Sequence, residues 1–169
     1  MAPPRKGQEG GWRYSVSMQS HSSHETLQVG AVEGRILLSS KTAAPHSIVE
    51  LRAPGGFRGP PMPHHHTRES CTWVVLEGTL VLTVDGEDRH VTAGEAAHLA
   101  PHQDFVWRNG DDEAPLRMLC IYTPGGFEQM LVKAMDILAR TGSTAATPAE
   151  LAAIMPALWR EFGIGVTGR

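Results

Sequence analysis

Between Glu25 and Pro124 the chain runs in short apolar stretches, several of them alternating with polar residues, each ended by Gly, Pro, Asp or Ser. Such a pattern predicts strands, here over Glu25–Val29, Arg35–Ser40, Ser47–Ala53, Cys71–Leu76, Thr79–Val84, Arg89–Thr92, Ala96–Ala100, Phe105–Arg108 and Leu116–Thr123. Strands of this length and spacing suit a sandwich or a barrel. Asp85-Gly86 sits between two strand runs and supplies the positive φ angles of a tight hairpin turn. Glu77-Gly78 interrupts two apolar runs, as a bend or bulge in a curved sheet does.

After Pro124-Gly125-Gly126 the period lengthens. Phe127, Met130, Leu131, Ala134, Ile137 and Leu138 recur at helical spacing. Thr147-Pro148-Ala149-Glu150 predicts a second helix, with Thr147 as N-cap, Pro148 in the first position and Glu150 closing a capping box. Leu151, Ile154, Leu158 and Phe162 form its apolar stripe, and Pro156 predicts a kink or a split. The expected organisation is a polar, flexible segment over 1–23, a β-domain over 24–124, and a helical segment over 125–169 that covers the barrel.

Composition adds exclusions. The 169 residues fit one domain, and a net charge of −3 leaves no basic footprint for nucleic acid or anionic membrane. No apolar run reaches the roughly 20 residues of a membrane helix, and residues 1–11 lack the apolar stretch of a signal peptide, so a cytoplasmic location is expected. Cys71 and Cys120 lie in strand-like runs and read as buried thiols.

The candidate chemistry lies between Gly59 and Gly78. Residues i and i+2 of a strand share a face, so His64 and His66 project together, with His65 opposite. Paired imidazoles suit Fe, Ni, Mn, Cu or Zn, and without a metal either ring can act as general acid or base. Cys71, Trp73 and Val75 share one strand face, and Phe105 and Trp107 another.

This stretch, His64-x-His66 followed by an acid and then Trp73-Val74-Val75-Leu76-Glu77-Gly78, resembles the first cupin motif. Gly94 to Asn109 resembles the second, and Pro124-Gly125-Gly126-Phe127-Glu128 with the following helices is similar to quercetin-dioxygenase-like monocupins. The resemblance implies a mostly β fold, the double-stranded β-helix or jelly-roll barrel, with C-terminal α-helices. It also implies a homodimer and a divalent metal held by two His and one Glu of the first motif and one His of the second. His64 and His66 match. The Glu position falls on Cys71 and the second-motif His position on Phe105, a departure from the pattern. Glu69 and His102 are the possible replacement ligands, although Glu69 is read first as an exposed loop residue beside Arg68.

Three functions remain open. One is a metal-dependent oxidoreductase similar to quercetin dioxygenase, in which His64 and His66 are ligands. The second is a metal-free cyclase or isomerase of secondary metabolism, with His64 or His66 moving a proton. The third is a non-catalytic ligand-binding barrel. The balance leans to an enzyme. A pocket lined by Cys71, Trp73, Val75, Phe105 and Trp107 favours an apolar, aromatic or polyketide-like substrate.

Overall fold

A computed structural model describes residues 25–60, 62–140 and 147–167. The expectation for residues 1–23 lies outside the described residues.

Eleven strands and two helices are described: β1 (Glu25–Val29), β2 (Val32–Leu38), β3 (Ser47–Ala53), β4 (His64–His66), β5 (Ser70–Glu77), β6 (Thr79–Val84), β7 (Glu87–Thr92), β8 (Ala96–Leu99), β9 (Phe105–Asn109), β10 (Leu116–Thr123), α1 (Glu128–Arg140), α2 (Pro148–Phe162) and β11 (Ile164–Val166). They make two antiparallel sheets, ordered β1-β2-β3-β10-β5-β8 and β11-β4-β9-β6-β7. The mostly β jelly-roll barrel with C-terminal helices is therefore present.

Alternation sets the barrel's inside. On β5, Cys71, Trp73 and Val75 are buried, and on β10 so are Leu116, Met118, Cys120 and Tyr122. Tyr122 pairs with Cys71, Cys120 with Trp73 and Met118 with Val75, so two period-two apolar sets face inward together. Leu80, Leu82, Val84 and Phe105 approach from the other sheet and join the same core. The β6–β7 hairpin turns at Asp85 (φ 53°) and Gly86 (φ 82°), as Asp-Gly predicts. A bulge falls between Arg117 and Met118, opposite the end of β5 at Glu77.

Two strands depart from the sequence pattern. β2 begins at Val32 rather than Arg35, because Gly34 takes an inward position where a β-carbon would stand 3.3 Å from the Leu51 side chain. β11 was not predicted; three residues give no period, yet it pairs with β4 from Ile164↔His66 to Val166↔His64.

α1 buries Met130, Ala134 and Leu138 along one stripe, and α2 carries the predicted Thr147 capping box. Pro156 lies inside α2 without splitting it. Phe127, Leu131, Val132 and Met135 pack on the barrel core, while Leu158 joins Met130, Ala134 and Ile164 in a second cluster. Among the described residues no helix is long and apolar enough to cross a membrane.

Glu128 ties the first helix to the sheet. Its fully buried carboxylate accepts hydrogen bonds from Ser40 N (2.7 Å), Ser40 Oγ (2.5 Å), Gln129 Nε2 (3.0 Å) and Gly126 N (2.9 Å). Burial alone would raise its pKa; the hydrogen bonds led by Ser40 outweigh it and hold the value down to about 2.

Candidate functional site

β4 places its three histidines by parity. His64 and His66 are 7% and 5% exposed and face the core, and His65 faces outward. His64 is paired across the sheet with Phe105, whose ring lies 4.4 Å from the His64 ring and 5.9 Å from the His66 ring, centre to centre. The residue in the second-motif ligand position thus touches both imidazoles and offers neither an electron pair.

Glu69 corrects the sequence expectation. It is 6% exposed rather than a loop residue in water, because the turn after β4 folds it back under His66. Its Oε2 stands 3.6 Å from His66 Nδ1, beyond hydrogen-bonding distance, and neither atom has another partner. Leaving such groups buried and unpaired costs on the order of 1–3 kcal/mol each. Trp73 Nε1 is a third orphan, with only the weakly accepting Cys71 thiol at hand.

His102, the other candidate ligand, lies outside the barrel. Its N–H donates to His66 O at 2.8 Å, and its ring packs 5.6 Å from that of His65. His102 is exposed and has a positive φ of 65°. His98 is also outside, on the outer face of β8 with Nδ1 2.9 Å from Thr72 Oγ1.

The expected pocket walls are brought together, but as packed core. Cys71, Trp73, Val75 and Phe105 are each at most 4% exposed, and half-buried Trp107 sits edge-on to Trp73 at 6.0 Å. Helical residues close this end of the barrel. Phe127 lies 4.4 Å from the His66 ring, and Trp159 stacks on His64 at 5.4 Å with an interplanar angle of 15°. The sequence reading missed Phe127, Trp159 and Tyr122 as site neighbours. Tyr122 had a detectable signal, since it shares inward parity with Cys120; Trp159 had none, because nothing local records a contact 95 positions away.

Burial decides the protonation of the interior. It pulls His64 down to about 4, so that this imidazole is neutral near pH 7; its Nδ1 donates to Met62 O at 3.3 Å. Burial pushes Cys71 well up and Cys120 up to about 12, which leaves both as packed, protonated thiols and not nucleophiles. It also raises Tyr122, whose hydroxyl stays protonated.

A metal does not fit this donor set. Among the described residues no three His, Cys, Asp or Glu side chains are placed to hold an ion, against the three or four that a bound metal needs. Phe105 blocks the second-motif position, His102 is outside, and Glu69 pairs with one histidine only.

The cupin-domain family model matches residues 48–122. Solved structures with the same barrel include KdgF from Halomonas sp. (TM-score 0.53, 18% identity, 63% of this chain and 93% of that one). Others are ectoine synthase from P. lautus (0.52, 20%, 60% and 70%) and a cupin-superfamily sugar phosphate isomerase from Silicibacter pomeroyi (0.52, 20%, 60% and 71%). At these identities the likeness shows the fold. Family match, strand order and barrel agree on the fold: residues 48–122 are similar to the cupin domain and lie within a barrel of the cupin type.

Proposed function

We propose that this cupin-domain protein is a small-molecule enzyme that moves a proton at the buried His66–Glu69 pair, on an aromatic or polyketide-like substrate, in a metal-independent isomerisation or cyclisation. The observation that carries the reading is the orphaned pair itself, an imidazole and a carboxylate 3.6 Å apart and sealed from water with Nδ1 and Oε2 unsatisfied. A folded chain retains such a cost where a ligand or a reaction repays it.

The chemistry follows from the tautomer. With Nδ1–H directed at Glu69, the tautomer that acts as base carries its lone pair on His66 Nε2. Nε2 takes a proton from a carbon beside a substrate carbonyl, and the carboxylate stabilises the imidazolium that results. Returning the proton at another carbon is isomerisation; attack of the enolate carbon on a second carbonyl closes a ring. Neutral His64 provides a stacking surface and an acceptor nitrogen. Trp73, Phe105 and Trp107 supply flat apolar contact, and entry requires Phe127 and Trp159 to swing off the two imidazoles. A synthase and an isomerase run on the same barrel in the neighbours above. The dioxygenase reading needs a third ligand at the position Phe105 holds, which gives it less support.

Deuterium exchange of substrate C–H bonds, followed by NMR across a panel of phenolic and enolisable polyketide-like carbonyl compounds, tests this. Tag-free protein in chelator should exchange at least one member of the panel, and Glu69→Gln should slow exchange by about 100-fold or more. Exchange that appears only when metal is added, or that is untouched in Glu69→Gln, contradicts the proposal.

A further inference from the structure

One orphaned atom of the barrel interior takes no part in the proton transfer at His66. Trp73 is 4% exposed, and among the described residues its indole N–H has no hydrogen-bond partner. The polar group beside it is the Cys71 thiol, a weak acceptor that the Tyr122 hydroxyl also approaches. Two good donors thus share one poor acceptor. A buried indole usually finds an oxygen, and leaving its N–H unpaired costs on the order of 1–3 kcal/mol. The group donates only, so an acceptor atom is what satisfies it.

The indole is also fixed in place. Phe105 meets it edge-on at 5.3 Å and 81°, and Trp107 does so at 6.0 Å and 67°. Trp107 is itself backed by Phe57 at 5.0 Å, and a β-carbon on Gly59 would stand 3.3 Å from Trp107 Nε1, so the chain before β4 packs closely against that wall. A donor held in this way needs no rearrangement when charge develops on the oxygen it faces. Phe105 links the indole to the base, because the same ring lies 5.9 Å from that of His66. A flat ring stacked along Phe105 therefore reaches the imidazole with one edge and the indole N–H with another.

We infer that Trp73 Nε1–H binds the carbonyl oxygen of a flat cyclic ketone and stabilises the enolate formed as His66 takes the proton, a catalytic role that rests on the proton-transfer reading of the His66–Glu69 pair. The substrate C–H bond breaks and its proton goes to His66 Nε2. The electron pair left behind becomes a carbon–carbon double bond, and the carbonyl π pair moves onto the oxygen that accepts from the indole. Return of the proton reverses these moves. Selectivity follows from the same atom: a ring of equal shape with a methylene in place of the carbonyl leaves the N–H unpaired and binds more weakly.

Nitrogen-15 NMR of the indole groups in the full chain, titrated with indanone, α-tetralone and chromanone beside indane, tetralin and chroman, reads the outcome. The Trp73 signal is assigned by its loss in Trp73→Phe or, if that variant does not fold, by elimination with Trp12→Phe, Trp107→Phe and Trp159→Phe. At least one ketone should move it downfield and bind about 10-fold or more tighter than its carbonyl-free partner. In folded Trp73→Phe, which keeps an aromatic ring, that preference should vanish and deuterium exchange of the ketone should slow by about 10²–10³-fold. A Trp73 signal that no ketone moves overturns the inference, as do equal affinities within every pair. Exchange undiminished in folded Trp73→Phe overturns it as well and leaves the His66–Glu69 reading intact. A shifted indole signal without exchange in the wild type supports the oxygen site and contradicts the proton-transfer reading alone.

Discussion

β4 carries two imidazole–carboxylate pairs on opposite faces, and they have opposite fates. Outside, His65 Nδ1 meets Asp104 Oδ1 at 2.8 Å, with the two side chains 22% and 33% exposed. Inside, His66 and Glu69 are 6% and 7% exposed and stand 3.6 Å apart, without a hydrogen bond. Water would have tolerated a loose pair outside, and only a close one should survive inside. The arrangement is the reverse. The outer pair is satisfied and serves the loop before β9: hydrogen bonds from Thr167 and then His65 hold Asp104 below the usual carboxylate range. The inner pair leaves His66 Nδ1 and Glu69 Oε2 both without a hydrogen bond.

The contrast can be broken most severely through function. His66→Asn keeps a polar side chain but removes the base, and turnover should fall by about 10²–10⁴-fold. His65→Asn should leave turnover within twofold. Equal losses in the two variants would abolish the distinction between the faces.

Acid stability sharpens it next, by setting a satisfied buried carboxylate beside the unsatisfied one. The Glu128 pKa is depressed from 4.5 to about 2, so its contribution is fully present above the unfolded value and is lost as pH falls through the folded one. That contribution is worth about 3 kcal/mol. Urea unfolding between pH 6 and pH 2 should show a loss of this order that is missing in Glu128→Gln. An acid limb unchanged in that variant would mean that the Ser40 contacts do not hold the carboxylate ionised.

A smaller effect concerns stability at neutral pH. Replacing both orphaned partners, His66→Phe with Glu69→Met, should leave the fold as stable as wild type or more so by about 1–3 kcal/mol, while function is lost. A large destabilisation would show that the inner pair holds the barrel together. The smallest effect belongs outside: Asp104→Asn should cost about 1 kcal/mol or less in urea unfolding.

Much of this was written locally in the chain. The alternation through Cys71, Trp73 and Val75 set the inward face of β5, Asp85-Gly86 set the β6–β7 hairpin, and Thr147 with Glu150 set the start of α2. These features depend on neighbours within a few positions. The parity of His64 and His66 was legible for the same reason, and the arrival of Phe105 beside them followed from the motif count. Glu69 was misread because its burial depends on the path of the turn after β4, which charge and spacing do not record. His102 lies in the second-motif loop, as the motif count predicts, but it is exposed and its ring packs against outward-facing His65. Trp159 and Phe127 reach the imidazoles through the docking of helices on the barrel, which no local pattern encodes. Their contacts, together with tight packing of Cys71, Trp73 and Phe105, put packed side chains where the sequence predicts a cavity.

Nitrogen-15 NMR of the imidazoles in tag-free protein, recorded in chelator and then with one equivalent of Zn²⁺, Ni²⁺ or Fe²⁺, bears most directly on the inner pair. The predicted spectrum has His66 protonated on Nδ1 toward Glu69 and His64 neutral, with neither signal moved by metal. Stoichiometric shifts of both imidazoles on adding any one of these ions would contradict it and restore a metal centre to this barrel.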